Sequence, residues 1–209
     1  MTIFPLCYFA PIPWYAAALQ AENIGIEVAE HYAKQQYTNR LWIKTTNGDL
    51  PLIIPVLRTG ERKAIRDKRI SYESLWQKNH WKSLETAYRS SPYFEYYEDK
   101  FAVFYEKKYE FLIDFTLEIQ AICFQLLQIE TPVQQIETYE KPGFYAQDYR
   151  AAFDASRHQQ PEWFVPVPYT QVFEGFSAGL SIFDLLCNEG PHSRDILKKS
   201  VLSHADFRR

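Results

Sequence analysis

A polar and aromatic block at residues 30–40 (EHYAKQQYTNR) holds the densest set of chemically active side chains in the sequence. A histidine there can act as an acid or a base near neutral pH. Two cations beside amide and hydroxyl groups suit phosphates or carboxylates. The block therefore predicts a site for an anionic small molecule, and a solvated loop is the alternative interpretation. The predicted ligand-binding residues are Glu30, Lys34, Gln35, Tyr37, Asn39 and Arg40, and the predicted catalytic residue is His31.

A second candidate is His80, which precedes Trp81 in a segment with helical periodicity. Projected from a helix toward the edge of a sheet, its side chain could act as a general acid or base, so it is predicted to be catalytic. The alternative interpretation is a half-buried histidine that packs between Trp76 and Trp81.

A third group lies near the carboxyl end and consists of Asp184, Asn188 and Glu189. The spacing of Asp184 and Asn188 places both on one face of a short helix. Ordinary helix capping explains most of this pattern. Arg150 and His158 lie in a long segment with little regular structure and could close over a site.

Composition and missing motifs exclude several classes of protein. The chain has 209 residues, 46% of them hydrophobic and 23% charged, which predicts one globular domain over residues 1–209. The net charge is −3, and acidic residues interrupt the basic run at 58–69, so a nucleic-acid partner is not expected. There is no GxGxxG, no GxxxxGK[ST] and no GxSxG motif.

The cysteines and histidines give no sign of a disulfide framework or a metal site, and the cysteine pattern points to a reducing compartment. The three cysteines are widely spaced and odd in number, and the histidines lack metal-ligand spacing, so neither a disulfide framework nor a zinc site is expected. The amino-terminal segment does not have the pattern of a signal peptide, and no apolar stretch is long enough to span a membrane. A cytoplasmic protein is therefore predicted.

The elements around the candidates begin with a strand–helix–strand unit. Residues 3–9 predict a buried strand, Pro13 begins a helix over 14–22, and residues 24–28 predict a second strand. This order requires parallel pairing with a right-handed crossover. The segments that follow the two strands then lie at the carboxyl edge of the sheet, where such sheets bind ligands. This placement adds Tyr8 to the predicted ligand-binding residues.

A hairpin is predicted next, because Asn47-Gly48 separates two apolar runs and suits a turn with positive φ at both positions. Residues 52–54 are apolar on both faces, so the second strand of the hairpin is predicted to be central. Residues 64–71 predict one more short strand.

A helical layer follows the strands. Helical periodicity covers residues 76–88 and 111–129, and Ser91-Pro92 predicts an N-cap and first helical position between them. Residues 136–168 show little regular structure, and Ser181 is predicted to cap a later short helix. The predicted fold class is α/β and Rossmann-like: a mixed sheet opened by a β-α-β unit, with a β-hairpin and a helical layer.

Several blocks, in this order and spacing, resemble the WbqC-like family in the compact form common in Bacteroidetes. They are residues 8–15 (YFAPIPWY), 30–40 (EHYAKQQYTNR), 80–84 (HWKSL), 87–88 (AY), 91–97 (SPYFEYY), 171–173 (QVF) and 180–191 (LSIFDLLCNEGP). The resemblance covers nearly the whole chain. It strengthens the 30–40 and His80 groups as site candidates and adds Tyr88 to the predicted ligand-binding residues.

The resemblance also implies a function. Some members of that family are encoded among O-antigen and other surface-polysaccharide genes, and an amino-acid transferase role has been suggested for them. It therefore implies a bacterial transferase with a nucleotide-sugar or acyl donor. The alternative is a non-catalytic binding or assembly module with an aromatic surface, since 17% of the residues are aromatic. Neither the residues nor the resemblance assigns a cofactor, a metal or an oligomeric state. Convergence of His31, Tyr37, Arg40 and His80 on one cleft would favour an enzyme.

Overall fold

The computed structural model describes residues 1–58, 63–141, 143–153 and 160–201 of the chain. The strands are β1 (Thr2–Phe4), β2 (Ile24–Glu27), β3 (Arg40–Thr45), β4 (Gly48–Ile53), β5 (Val133–Ile136) and β6 (Gln147–Asp148). The α-helices are α1 (Ile12–Ala18), α2 (Trp76–Tyr88), α3 (Phe94–Glu106), α4 (Leu112–Leu126), α5 (Ile182–Glu189) and α6 (Ser193–Lys199). Short 3-10 helices are formed by Tyr37–Asn39, Ile65–Asp67, Arg150–Ala152 and Gly190–His192.

The main sheet depends on parallel pairing of β1 with β2, with α1 as the crossover between them. β6 pairs in parallel with the other edge of β1, and β5 pairs in parallel with β2, so the order is β5-β2-β1-β6. The predicted α/β, Rossmann-like fold class is confirmed.

Two elements are shorter than the sequence predicts. The strand predicted over residues 3–9 ends before Pro5, which has no N–H to donate to the ladder, and Phe9 adopts a φ of 42°. The helix predicted over 14–22 ends at Ala18, because the N–H groups of Gln20 and Ala21 donate to carbonyls only three residues back and tighten the last turn.

The predicted hairpin is present, but its turn differs. β3 and β4 pair antiparallel, with Thr45 opposite Gly48, so Thr46 and Asn47 form the tip. Gly48 has a φ of 104°, whereas Asn47 keeps a negative φ. The predicted turn with two positive φ angles is therefore wrong: the glycine follows the tip, as in a type I turn with a bulge.

The predicted central position of the second hairpin strand is also wrong. β3 and β4 form a separate two-stranded sheet, and the side chains of Leu50 and Ile53 in β4 are exposed. Continuous apolar runs are typical of buried parallel strands, but here only Leu52 and the following Ile54 are buried.

The loops after the hairpin depart further from the sequence-based expectation. Residues 64–71 form no strand; Ile65–Asp67 is a 3-10 helix, and isolated bridges such as Val56 with Ile70 flank it. The expectation of little structure after residue 136 is incomplete, since β6 lies within that stretch. The strand β5 was not predicted either, because an edge strand tolerates the polar sequence VQQI, which shows no apolar pattern.

The helices lie where the apolar periodicity predicts them, whereas only one of the two predicted N-caps is present. α2 and α4 fall within the predicted ranges, and the Ser181 side chain accepts a hydrogen bond from the N–H of Phe183 at the start of α5. The Ser91 cap is wrong: α3 begins at Phe94, and the Ser91 hydroxyl donates to the carbonyl of Tyr88 at 2.6 Å.

Aromatic rings join these helices to one another and to the segment that follows β1. Phe183 is fully buried, and its ring centroid lies 5.3 Å from the rings of Phe9, Tyr88 and Phe101. Such edge-on contacts stabilise beyond area burial alone. The high aromatic share of the sequence therefore serves largely as core.

Position 190 requires glycine for two reasons. Gly190 ends α5 with a φ of 51° and a ψ of −123°, and an added Cβ would overlap the ring of Tyr93. We expect Gly190→Ala to lower the free energy of unfolding by about 3 kcal/mol, because a clash adds to backbone strain. Gly48→Ala is the control, since nothing lies within 4 Å of a Cβ there, and we expect a loss of about 1 kcal/mol. Equal losses in urea denaturation would contradict the role of Tyr93.

Candidate functional site

A buried ion cluster lies at the carboxyl edge of the main sheet. Glu27 ends β2 and Asp148 ends β6, so the two carboxylates flank β1. The Arg150 guanidinium donates to Glu27 Oε2 and, through Nη2 at 2.6 Å and Nε at 2.9 Å, to Asp148. The side chains of Arg150 and Glu27 are only 6% and 0% exposed. One cation therefore joins the ends of two strands across a third.

Glu30 extends this cluster, and together Glu27, Glu30 and Asp148 around Arg150 form what we call the acidic group. Burial raises the pKa of Glu27 and of Glu30, and the positive charge of Arg150 opposes both shifts. Hydrogen bonds from Arg150 lower the pKa of Asp148. Glu27 Oε1 has no hydrogen-bond partner among the described residues. Carboxylates with raised pKa values are candidates for proton transfer.

A second set of charges, the cationic group, consists of Lys34, Arg40, Lys63 and Lys68 around the ring of Tyr32. The Lys68 ammonium lies 5.0 Å from the centroid of that ring. Burial and the charges of Lys63 and Lys34 lower the pKa of Lys68, and Arg40 opposes a rise in the pKa of Tyr32 that burial causes. Within the described ranges, none of the four cations forms an ion pair with a carboxylate. The group therefore fits an anionic ligand.

Backbone bonds hold the two groups side by side. The N–H of Tyr32 donates to the carbonyl of Lys63 at 3.0 Å, and the N–H of Ile65 donates to the carbonyl of Glu30 at 2.9 Å. His31 forms a bridge with Ala64 between these bonds, and its side chain is exposed. When it is protonated, His31 opposes the rise in the pKa of Glu30 that burial causes. His31 thus lies between a carboxylate and a set of cations.

The remaining residues of the 30–40 block serve mainly to hold it. The carbonyl of buried Tyr37 accepts a bond from the N–H of Tyr8 at 2.8 Å. Asn39 Nδ2 donates to the carbonyl of Ile54 at 2.7 Å. Gln35 is exposed, with a φ of 64°. A ligand-binding role for the side chains of Tyr37, Asn39 and Gln35 stays a prediction.

His80 belongs to a different, buried network. It is 5% exposed, its Nδ1 lies 3.2 Å from the Tyr8 hydroxyl, and that hydroxyl lies 2.6 Å from the hydroxyl of Tyr105. Burial lowers the pKa of His80 to about 4, although its backbone partner Ile53 opposes the shift. The imidazole is therefore neutral at neutral pH, and its ring also packs edge-on against Trp76 at 5.2 Å.

The four residues whose convergence would favour an enzyme are connected in two ways, and Arg40 takes part in both. Ile53, the backbone partner of His80, pairs with Arg40 across the hairpin, and Tyr8 connects His80 to the backbone of Tyr37. His31 forms its bridge with Ala64 beside the cationic group, and its electrostatic partner in the acidic group is Glu30. His80 and His31 share no partner among the described residues, and a catalytic role for each stays a prediction.

A further buried network surrounds Asp184, which is 0% exposed. Its Oδ2 accepts from the Tyr169 hydroxyl and from Gln171 Nε2 at 3.1 Å. Burial raises the pKa of Asp184 to about 6, against hydrogen bonds from Tyr169, Tyr88 and Gln171 and the charge of Lys44. Tyr88, a predicted ligand-binding residue, is thus buried beside this carboxylate.

Sequence reasoning missed the acidic group as a unit, and it named Asp184 as a candidate without its partners Tyr169, Gln171 and Lys44. One signal was present for Asp184: it interrupts the apolar run LSIFDLLC at residues 180–187, which predicts a helix buried on all sides with a carboxylate inside. Arg150 lies in the long loop where a closing residue was expected, but it is anchored in the ion cluster. His158 lies outside the described residues.

Metal-binding clusters and membrane-spanning helices are both absent from the described part of the chain. Over these ranges, no three His, Cys, Asp or Glu side chains are grouped so that they could hold a metal ion. In the same ranges, no helix combines the length and apolar character needed to cross a membrane.

Fold and charges together define an α/β protein with a parallel, Rossmann-like sheet and a charged candidate site at the carboxyl ends of its strands. The model of the WbqC-like protein family matches residues 7–160, which confirms the resemblance. The chain belongs to the WbqC-like protein family. No curated protein and no solved structure matches it. The match includes both charged groups and ends before Gln171 and Asp184.

The ion cluster makes a direct prediction about stability. Arg150→Met should lower the free energy of unfolding by about 3–5 kcal/mol, because it leaves the buried Glu27 carboxylate without its cation. Adding Glu27→Gln should recover part of that loss. Arg89→Met is the matched control: it removes an arginine from exposed pairs with Glu85 and Glu98, so its loss should be much smaller. Urea denaturation of all variants tests this, and equal losses for the two arginines would refute it.

Asp184 makes a prediction about pH. Its pKa is about 6 when folded, against an ordinary 3.8, so the folded state holds this proton more tightly and the group's contribution to stability falls as the pH rises from about 4 to about 6. The variant Asp184→Asn cannot titrate at this position, so it lacks this pH-dependent contribution to stability. From pH about 4 to about 7, the difference in unfolding free energy should shift by roughly 2–3 kcal/mol in favour of the variant. A pH-independent difference in denaturant titrations would show that the carboxyl does not titrate in this range.

Proposed function

We propose that this protein is a transferase of surface-polysaccharide assembly that uses a phosphate-activated sugar or acyl donor. The observation that carries the proposal is the cationic group: four cations around Tyr32 without a carboxylate partner among the described residues, directly beside three carboxylates around Arg150. The role in polysaccharide assembly is inferred from the family resemblance. The negative charge of the donor is inferred from the cationic group.

The cationic group suits the phosphate of the donor. Lys34 and Lys63 each present an ammonium, and Arg40 offers a guanidinium that can bind two oxygens at once. The pKa of Lys68 is lowered by burial and by the two neighbouring lysines, so the cations repel one another. A bound phosphate or diphosphate would relieve that repulsion, which favours binding of an anion over a neutral compound.

The acidic group suits the acceptor. In the proposed step, a hydroxyl or amine of the acceptor attacks the anomeric or acyl carbon of the donor and forms the new bond. The bond from that carbon to the phosphate oxygen breaks, and the phosphate leaves with the electron pair, held by the cations. The acceptor proton passes to His31, with Glu30 beside it. His80 stays a candidate for this base, but its burial makes His31 the better placed of the two.

A second candidate function, a binding module with an aromatic surface, is supported by one observation. Phe144 is 67% exposed, its ring centroid lies 5.0 Å from that of Tyr145, and exposed Tyr139 lies near Arg150. Such a patch beside the acidic group could contact a partner protein. Ligand-dependent turnover separates the two functions, because a binding module would have none.

A thermal-shift experiment tests the proposed donor site. A screen against uridine diphosphate, nucleotide sugars and aminoacyl adenylates should find a ligand that raises the Tm by roughly 5–10 °C at a hundredfold excess over Kd. Arg40→Ala and Lys63→Ala should each weaken its binding about tenfold or more while the Tm without ligand changes little.

The control variant is Lys100→Ala, which removes an exposed lysine on α3 and should leave the affinity unchanged. Full retention of binding in Arg40→Ala and Lys63→Ala would exclude the cationic group as the donor site.

A further inference from the structure

An open cleft lies between the tip of the hairpin and the segment at residues 172–177. The tip is the end of the hairpin opposite to Arg40. Its volume is about 500 Å³, and we call it the hairpin cleft. Lys44, Thr46, Phe173, Phe176 and Ser177 are among its lining residues. A basic side chain, two hydroxyls and two aromatic rings in one cleft are the groups that recognise a small polar ring compound.

Lys44 is the unusual member of this lining, because it is only 5% exposed and yet faces an open cleft. Its Nζ donates to Gln171 Oε1 at 3.1 Å and to the carbonyl of Gly175. An ammonium has three N–H donors, and the described residues supply acceptors for two of them. The hydrogen bonds of this ammonium go to neutral oxygens, and its charge interacts with the Asp184 carboxylate at longer range. An anion in the cleft would add a direct, charge-assisted hydrogen bond.

The Lys44 ammonium is also held in place. Gln171, which accepts from Lys44, donates through Nε2 to Asp184 Oδ2 at 3.1 Å and to the carbonyl of Ser177 at 2.9 Å. The N–H of Ser177 returns a bond to Gln171 Oε1 at 2.9 Å. Gln171 therefore fixes both the ammonium and one wall of the cleft before any ligand arrives, which reduces the entropy lost on binding.

Two aromatic side chains provide the second half of the site. Phe173 and Phe176 line the cleft, and Phe176 is braced edge-on by the ring of Tyr169 at 5.5 Å. Phe173 also lines a neighbouring cleft of about 590 Å³ between the hairpin and α2. Partly exposed rings at the border of two clefts suit stacking against the flat face of a sugar or another ring.

We propose that the hairpin cleft is an oxyanion site for a ring-bearing small molecule, with the carboxylate or phosphate of the ligand on Lys44 Nζ and its ring against Phe173 and Phe176. Thr46 and Ser177 contribute hydroxyls for the remaining polar groups of the ligand. A sugar acid and a sugar phosphate both have this chemistry. The proposal goes beyond the donor site above, because it uses none of the residues of the cationic or acidic group, and its segment 172–177 lies outside the family match.

The competing explanation is structural: Lys44 would merely tie the 169–177 segment to β3. Asp49, its cross-strand neighbour, adds a negative charge on the same face of the hairpin. Under this explanation the cleft has no preference for anions, and adding a sugar acid or a sugar phosphate does not change the environment of its lining residues. The two explanations therefore differ in a measurable way without any substitution.

Chemical-shift mapping on the wild-type protein makes the first test. Glucuronate and glucose 1-phosphate are titrated separately, with glucose as the neutral probe. We expect saturable shifts centred on the amides of Thr46, Phe173, Gly175 and Ser177 for at least one acid and none for glucose. The acid that binds more tightly identifies carboxylate or phosphate as the natural group. Absence of shifts, equal shifts with glucose, or shifts confined to the cationic group would each overturn the proposal.

Variants test the role of single side chains. Lys44→Met, which keeps a four-atom apolar stem and removes the ammonium, should raise the Kd of the binding acid about tenfold or more, whereas Lys78→Met on the exposed face of α2 should leave it within about twofold. Should Lys44→Met fail to fold, a substitution at the partly buried Phe173, Phe173→Ala, decides. It should raise the Kd of the sugar acid or phosphate about fivefold and leave that of inorganic phosphate unchanged. An unchanged Kd for the ring-bearing probe in Phe173→Ala would refute the stacking part and with it the site.

Discussion

Arg150 carries the connection on which the carboxyl edge of the sheet depends. β1 lies between β2 and β6, and the last residues of the outer two strands in this trio are carboxylates, Glu27 and Asp148. Two carboxylates at the ends of strands that flank the same central strand would repel each other without a cation between them. Because Arg150 follows Asp148 closely, the chain that leaves β6 must turn back over β1 to deliver its guanidinium. The charge of Arg150 also acts on Glu30, at the start of the 30–40 block.

The local part of this architecture could be predicted from the sequence, because its causes are local. Periodicity reveals α2 and α4, a serine before an apolar run reveals the start of α5, and two apolar runs around a short helix reveal the parallel β1–β2 pair. Even the errors at the ends of these elements have local reasons, such as Pro5 inside the first apolar run.

The long-range part could not be predicted, because its partners are far apart in the chain. Arg150 and Glu27 are separated by 123 positions, and Lys44 and Gln171 by 127, so no spacing rule connects either pair. The strand β6 has two residues, too few for any pattern, and it is placed by its neighbours. The apolar run in β4 misleads for the complementary reason: a hairpin that packs on its own can expose residues which a central strand would bury. The composition of the 30–40 block is enough to mark it as a candidate site. Its partners Lys63 and Lys68 could not be recognised in this way, because residues 64–71 were predicted to form a strand.

The strand β3 relates the two proposed anion sites physically. Side chains alternate along a strand, so Arg40 and Lys44 lie on the same face of β3, roughly 13 Å apart at about 3.3 Å per residue. The ladder with β4 is unbroken from Arg40 opposite Ile53 to Thr45 opposite Gly48, which keeps that separation constant. Arg40 belongs to the cationic group at one end, and Lys44 forms the floor of the hairpin cleft at the other. A single ligand that reaches both cations must therefore span the length of the hairpin, whereas two smaller anions can occupy the two ends independently.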